Sequence, residues 1–477
     1  MIIDLAVIGG TAVKAAASSA AGKLAALAVE KGKAKFFPGE FERSLLEGLK
    51  AAQVEDEALA GSCHLFLHFD DKNHREFLGR VLEHPLLLEE FQKPLENEGS
   101  PDIDCLVKVF EQVADGLGLT LVAGSVQRWV RTFAQTYFDR TKAAIVFQVA
   151  KEQYLRQLAQ RVDDVKFVGI AVPGEEVEKQ EVLAQIFVMP DVREERQGQT
   201  KERSYYLTEI IESSTKLSEP IIGDRWYENL KAANELLEQK QKILLEEQKE
   251  WAMRDRSSPR IPAQKVLNQT KNKAVLLGAP GSGKTTLASY FALMLTGKND
   301  PTQIGFDANE DWLPVVVRIR DWVLQPGMGL LEYLRSYAEK MTVKSLPIGF
   351  FEYWLDRGKA LILLDGLDEV VDEAQRQKVA EEIKTFLHRY RDNPAVITSR
   401  PAGYRRDFFD LYEFPHYTLE PFDERQRNEF IEHWYDSRVK DDKDKADRLK
   451  ADLRKAFEGN DRIRLLAENP LLLRNED

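Results

Sequence analysis

Apolar and polar positions recur with different periods in successive parts of the chain. As far as Val162, apolar residues return at three- and four-residue steps, as in "FERSLLEGLKAAQ" and "SVQRWVRTFAQTYFDR". That spacing lines one face of a helix, so residues 1–162 are expected to form a mainly helical region. The Pro-, Gly- and acid-rich stretch "KPLENEGSPD" breaks the pattern and separates two helical parts. The opening "MIIDLAVIGGTAVKAAASSAAGKLAALAVE" is rich in Ala. Lys14 and Lys23 interrupt it short of the ~20 apolar residues that a spanning helix needs. It is expected to be a small-residue helix packed on other helices, with a membrane-active N-terminus as the minor alternative.

The period then changes. "VKFVGIAVPGEE" and "LAQIFVMPDV" are short β-branched runs closed by Pro and Gly, which predicts strands or extended connections in a small mixed segment, 163–225. "REERQGQTKERS" within it reads as a polar linker. Over 226–251, Trp226, Leu230, Ala233, Leu237, Leu244 and Trp251 fall near one stripe, interrupted by Lys240 and Glu247. This predicts an amphipathic linker helix, within 226–262, that docks between domains, in preference to a long coiled coil.

After "RSSPRIP" the chain alternates "AVLLGA", a helix from Lys284, "LPVVVRIR", a helix around Leu330 to Lys340, "ALILLDG", a helix through Ile383 to Tyr390, and "AVITSR". Strands that are apolar throughout and separated by helices predict a parallel sheet covered on both faces, an α/β domain over 263–422. Residues 423–477 read as helical again, a partial helical domain.

Composition narrows the function classes. At 477 residues the chain exceeds one ordinary core. The formal net charge of -12 argues against nucleic-acid binding through bulk electrostatics. Two cysteines, Cys63 and Cys105, exclude a disulfide framework or a cysteine-rich zinc site. Asp4 stands where a secretory signal would be basic, so the cytoplasm is the expected compartment, away from a membrane.

The strongest chemical signal is "GAPGSGKTT", Gly278, Ala279, Pro280, Gly281, Ser282, Gly283, Lys284, Thr285 and Thr286. It fits G-x-x-x-x-G-K-[ST] between a strand and a helix. Glycines let the backbone aim successive N–H groups at phosphate oxygens, and the helix N-terminus adds its dipole. Lys284 would bridge the β- and γ-phosphates, and Thr285 would offer a hydroxyl to Mg²⁺. Asp365 ends the apolar strand Leu361 to Leu364 and is the second expected metal residue. Asp368 and Glu369 follow near where the γ-phosphate and an attacking water would lie. One of them should orient or deprotonate that water, with Glu369 favoured slightly over Asp368. Asp372 and Glu373 are expected to cap or charge the next helix. Arg400, at the end of "AVITSR", is a candidate γ-phosphate sensor, whereas Arg318 and Arg320 are expected on one face of a strand, pairable with acids or phosphate, with a structural role favoured.

Together "GAPGSGKTTL", "LPVVVRIRDW", "LILLDGLDE", "ITSRP" and "LAENPLLL" resemble the NACHT-type NTPases of the signal-transducing P-loop ATPases, over about Ala263 to Leu473. Small Gly366 followed by the Asp368–Glu369 pair is the specific part. The preceding segment resembles less firmly the leading parts of bacterial NACHT proteins. The resemblance implies an ASCE-type P-loop fold that binds ATP or ADP with Mg²⁺ and acts as a slow switch. It implies nucleotide-dependent homo-oligomerisation, with trigger and effector proteins left unidentified, and a place in anti-phage defence for bacterial members. It places Pro470 against the adenine. In the family a winged-helix domain and sensor repeats follow; the sequence stops at Asp477, so a fragment, or partner chains that supply those parts, is expected.

Two other classes compete with the switch: an ordinary P-loop GTPase or kinase, and a scaffold that holds ADP without turnover. A GTPase should carry N-K-x-D after the Walker strand, and none occurs from Asp365 to Asp477. His64, His68, His74 and His84 cluster beside Asp70 and Asp71. Metal binding there is the minor reading, because His64 and His68 alternate with apolar residues as on a half-buried strand.

Overall fold

Why the first stretch is helical is visible in what each helix buries. The computed structural model describes residues 11–30, 38–58, 65, 71–96, 100–165, 181–195, 258–268, 272–341, 346–401, 404–439 and 442–459. Two compact units divide the chain: Met1–Gln153 with Asn309–Asp311, and Tyr154–Ala308 with Trp312–Asp477.

The first unit contains α1 (Thr11–Glu30), α2 (Pro38–Glu57), α3 (Asp71–Leu82), α4 (Pro85–Phe91), α5 (Ile103–Leu117) and most of α6 (Ala123–Asp163). In α1 the residues Ala16, Ala17, Ala20, Ala21, Leu24 and Ala28 are buried, and the helix packs on α2 and α3. It is long and apolar enough by composition to cross a membrane, a test that a packed core helix also passes. The centre of the unit is aromatic. Phe91 stacks on Tyr137 at 4.1 Å between ring centres, and Phe110, Trp129 and Phe133 continue the cluster. The buried Tyr137 hydroxyl donates to the Phe91 carbonyl at 2.9 Å, so the ring is buried without an orphaned polar group. Gly48 lets α2 approach α6: a Cβ there would lie 2.7 Å from the Phe133 carbonyl oxygen.

The second unit takes the last residues of α6, from Tyr154. It continues with β1 (Asp164–Val165), β2 (Glu181–Val182), α7 (Leu183–Ile186), β3 (Asp191–Glu194), β4 (Ile261–Pro262), β5 (Lys273–Leu277), α8 (Lys284–Met294) and β6 (Leu313–Arg318). Then come α9 (Ile319–Val323), α10 (Leu330–Met341), α11 (Phe350–Leu355), β7 (Ala360–Asp365), α12 (Glu373–Arg389), β8 (Ala395–Ser399), β9 (His416–Leu419), α13 (Glu424–Arg438) and α14 (Lys443–Gly459). Seven strands form one sheet in the order β4-β3-β9-β5-β8-β7-β6. The five from β9 to β6 are parallel, and β3 and β4 extend the sheet antiparallel beyond β9. Every residue of β5, β7 and β8 is buried, the signature of strands covered on both faces. Strand β8 lies between β5 and β7, so the phosphate-loop strand and the acid-ending strand are separated by one additional strand. That arrangement is the P-loop NTPase fold expected from the alternating pattern.

Asp423 caps α13 with a reciprocal capping box to Gln426. The buried side of α13, with Phe430, Ile431, Trp434 and Tyr435, packs on Ile186 and Val188. Two expectations need correction here. "LAQIFVMPDV" is not one extended run: Leu183–Ile186 forms a helical turn whose Leu183 and Ile186 are buried, and strand pairing begins only at Asp191. Contact with α13 decides the turn, where local β-propensity would have chosen a strand. Nor do Arg318 and Arg320 share a strand face. Arg318 ends β6 and Arg320 lies in α9, because the strand stops level with Asp365, its register partner in β7. The helix expected over 226–251, most of "VKFVGIAVPGEE", His64, His68 and Pro470 lie outside the described residues.

Candidate nucleotide site

Three chain reversals at the C-terminal edge of the parallel sheet bring the predicted residues together. The first is the loop from Gly278 to Gly283 between β5 and α8. The Gly278 N–H donates to the Ser399 carbonyl at 3.2 Å, which ties the loop to the end of β8. A Cβ on Gly278 would lie 2.4 Å from Ser282 Oγ and 3.3 Å from Leu419 Cβ, so any side chain there would displace Ser282 and crowd Leu419. Gly281 and Gly283 hold φ of 73° and 90°, in the left-handed region that glycine reaches without strain. Helix α8 opens directly behind, so its first N–H groups face the loop.

Lys284 Nζ donates to the carbonyls of Gly278 at 2.7 Å and Ala279 at 3.0 Å. Burial pulls its ammonium down to about 8, opposed by the carboxylate of Asp368 and aided by the charge of Arg400. A cation in this setting gains strongly from an approaching polyphosphate. Thr285 and Thr286 occupy the first turn of α8, Pro280 is exposed at the loop tip, and Ala279 and Ser282 are half-buried in its wall.

The second reversal follows β7. Asp365 is buried, and each of its carboxylate oxygens is held. Thr285 Oγ1 donates to Oδ2 at 2.8 Å and Thr398 Oγ1 donates to Oδ1 at 2.6 Å. Thr398 Oγ1 in turn accepts from the Gly366 N–H at 2.9 Å. This network joins α8, β7 and β8 through one carboxylate. A hydroxyl beside a carboxylate is a hard-oxygen donor set. No group of three or more His, Cys, Asp and Glu that could hold a metal occurs among the described residues. The pair Thr285 and Asp365 therefore fits a cation that takes its remaining ligands from phosphates and water, the usual habit of Mg²⁺.

Gly366 has φ of 83°, and a Cβ there would lie 3.2 Å from Glu369 Cδ. The single turn Leu367–Glu369 thus folds the Glu369 side chain back over Gly366. Asp368 points the other way. It accepts from the Arg400 backbone N–H at 2.9 Å and pairs with Arg400 Nε at 2.9 Å. The Asp368 carboxylate is nearly buried, whereas that of Glu369 is 40% exposed. Only the latter is open to water. Asp372 caps α12 by accepting from the Gln375 N–H, and Glu373 accepts from Arg405, so both belong to the next helix as expected.

The third reversal follows β8, where Arg400 leaves the sheet. Sequence reasoning did not assign three participants the roles they take here. Thr398 carried a signal, a hydroxyl inside a buried strand. Arg376, four residues into α12, donates from Nε and Nη2 to the Val370 carbonyl at 3.0 and 2.7 Å and so anchors the chain behind Glu369; its spacing carried none. Arg320 Nη1 approaches Glu369 Oε2 at 3.6 Å.

A glycine loop at a helix N-terminus, a buried acid shared with the loop's threonine, and an additional strand between them define a P-loop NTPase. Comparison with protein families specifies which one. Residues 12–172 match the NACHT N-terminal helical domain 2, and residues 272–438 match the NACHT domain. The chain belongs to the NACHT-domain NTPases, which bind nucleotide and hydrolyse it. No curated protein matches the chain closely.

Proposed function

We propose that this protein is an ATP-dependent molecular switch that hydrolyses ATP slowly with Mg²⁺ and assembles into homo-oligomers in its ATP form. The observation that carries this reading is the Thr285–Asp365–Thr398 network beside the Lys284 loop, with Glu369 open to water above Gly366. Mg²⁺, when bound at Thr285 and Asp365, would supply positive charge against the phosphates. Lys284 neutralises the β- and γ-phosphates, and the loop N–H groups orient them. Glu369 accepts a proton from water as the water oxygen bonds to the γ-phosphorus, and the bond from that phosphorus to the bridging oxygen breaks toward ADP. The half-exposed position of Glu369 and the engagement of Arg400 with Asp368 favour slow turnover over an ordinary enzymatic rate. Adenine is preferred because the N-K-x-D guanine reader is missing from Asp365 to Asp477. The resemblance to bacterial NACHT proteins supports a cytoplasmic role in signalling and anti-phage defence, with Arg400 as γ-phosphate sensor.

The test is to identify the nucleotide that copurifies and to measure mass in solution with ADP and with ATP. The expected result is an adenine nucleotide and a larger species in ATP. A guanine nucleotide would overturn the adenine assignment, and equal mass in both would overturn the switch.

A further inference from the structure

The residues around Glu369 include one cation that the hydrolytic scheme above does not use. Strand β6 stops at Arg318, level with Asp365, and α9 turns back beside the Leu367–Glu369 turn. The second residue of α9, Arg320, thereby reaches Glu369, with Nη1 3.6 Å from Oε2. The other carboxylate oxygen, Oε1, lies over Gly366, 3.5 Å from where a Cβ would stand. Arg320 Nε is also 3.5 Å from Asp321 Oδ1, on its own helix.

We propose that Arg320 is a positioning residue for hydrolysis, holding the Glu369 carboxylate over Gly366 so that Oε1 is presented to the attacking water. The inference rests on the reading of Glu369 as the base. Glu has several rotatable bonds and gives up substantial rotamer freedom when fixed. One side-chain contact and two features of the backbone set its position here. Gly366 leaves room beneath it, Arg376 anchors the Val370 carbonyl behind it, and Arg320 holds its far oxygen. Side chains of Arg320 and Glu369 are 55% and 40% exposed, and a pair that open adds little to folding stability. Its consequence is therefore geometric: it selects one orientation of the base, and catalysis is sensitive to misorientation of that kind. A Lys at this position retains a charge in reach of Oε2 but lacks the planar fork of Arg.

The test uses the full chain. Single-turnover ATP hydrolysis, nucleotide affinity by calorimetry and thermal midpoint are measured for the wild type, R320M, R320K, E369Q and the double variant R320M/E369Q. R320M is expected to slow hydrolysis about tenfold, a fraction of what a general base contributes, with affinity and midpoint unchanged. R320K should recover most of that loss. In the E369Q background R320M should cost nothing further, because the two residues act as one unit. Unchanged hydrolysis in R320M overturns the proposal. So does an equal loss with and without Glu369, which would make Arg320 an independent phosphate contact, or a loss of affinity that tracks the loss of rate. If E369Q hydrolyses ATP like the wild type, the base assignment itself fails, and the proposal with it. That result is read before any Arg320 variant and so is distinguishable.

Discussion

At the scale of single residues, Lys284 shows how burial prepares a binding group. Its ammonium is pulled to about 8 by desolvation, so near that pH about half of the molecules carry the charge. Bound phosphates favour the charged form, which raises the pKa and draws in a proton. Calorimetry of MgATP binding at pH 8, in two buffers of different ionisation enthalpy, is therefore expected to show uptake of about half a proton per site. The uptake should vanish near pH 6.5, where Lys284 is already protonated. It should also vanish in K284R, whose guanidinium stays charged throughout. The acids separate at this scale too. "DGLDEVVDE" reads as one cluster in sequence, yet Asp365 faces two threonines, Asp368 faces Arg400, Glu369 faces water and Asp372 faces a helix N-terminus.

At the scale of elements, strand β9 connects the phosphate loop to the antiparallel edge. Leu419 stands where a Cβ on Gly278 would crowd it, and it pairs with Val192 of β3. At its start lies buried His416, whose Nδ1–H donates to the Phe414 carbonyl at 2.7 Å while Nε2 accepts from the Tyr404 hydroxyl at 2.6 Å. Burial, with the nearby charge of Arg406, lowers its pKa from 6.5 to about 4. Folded protein thus keeps His416 neutral where the unfolded chain would bind a proton. The stability that neutral His416 contributes is fully present above pH 6.5 and is lost as pH falls from there toward 4, by roughly 3 kcal/mol. Urea titrations at several pH values should show that slope, and H416Q should flatten it by a similar amount. The strands and helices of this unit were largely legible: β5, β7 and β8 stand where continuous apolar runs put them, and α13 begins at its capping box. The turn Leu183–Ile186 was not, since its burial depends on Trp434 and Ile431, more than 200 residues on.

At the scale of the whole molecule, the nucleotide reading makes a thermodynamic demand. The residues of the site all belong to the second unit, so a ligand that binds only its folded form stabilises that unit. At a hundredfold excess over Kd, MgADP should add about 2.7 kcal/mol to the second unit. In scanning calorimetry or hydrogen exchange, the increase should appear in β5, β7 and β8, and K284A should remove it. An aromatic core around Phe91, Phe133 and Tyr137 gives the helical unit its own interior.

By itself, the sequence determined the class of the protein. Glycine spacing, a strand ending in an acid and the change of apolar period are local properties, set by backbone freedom and by which faces must be buried. They named the phosphate loop, Asp365 and the Asp368–Glu369 pair without any long-range information. Only the tertiary structure decided which partner each charged group meets. Strand order is a matter of global packing, and it alone puts β8 between β5 and β7, gives Thr398 to Asp365, turns Arg400 onto Asp368 and brings Arg320, expected on a strand, to the exposed carboxylate of Glu369.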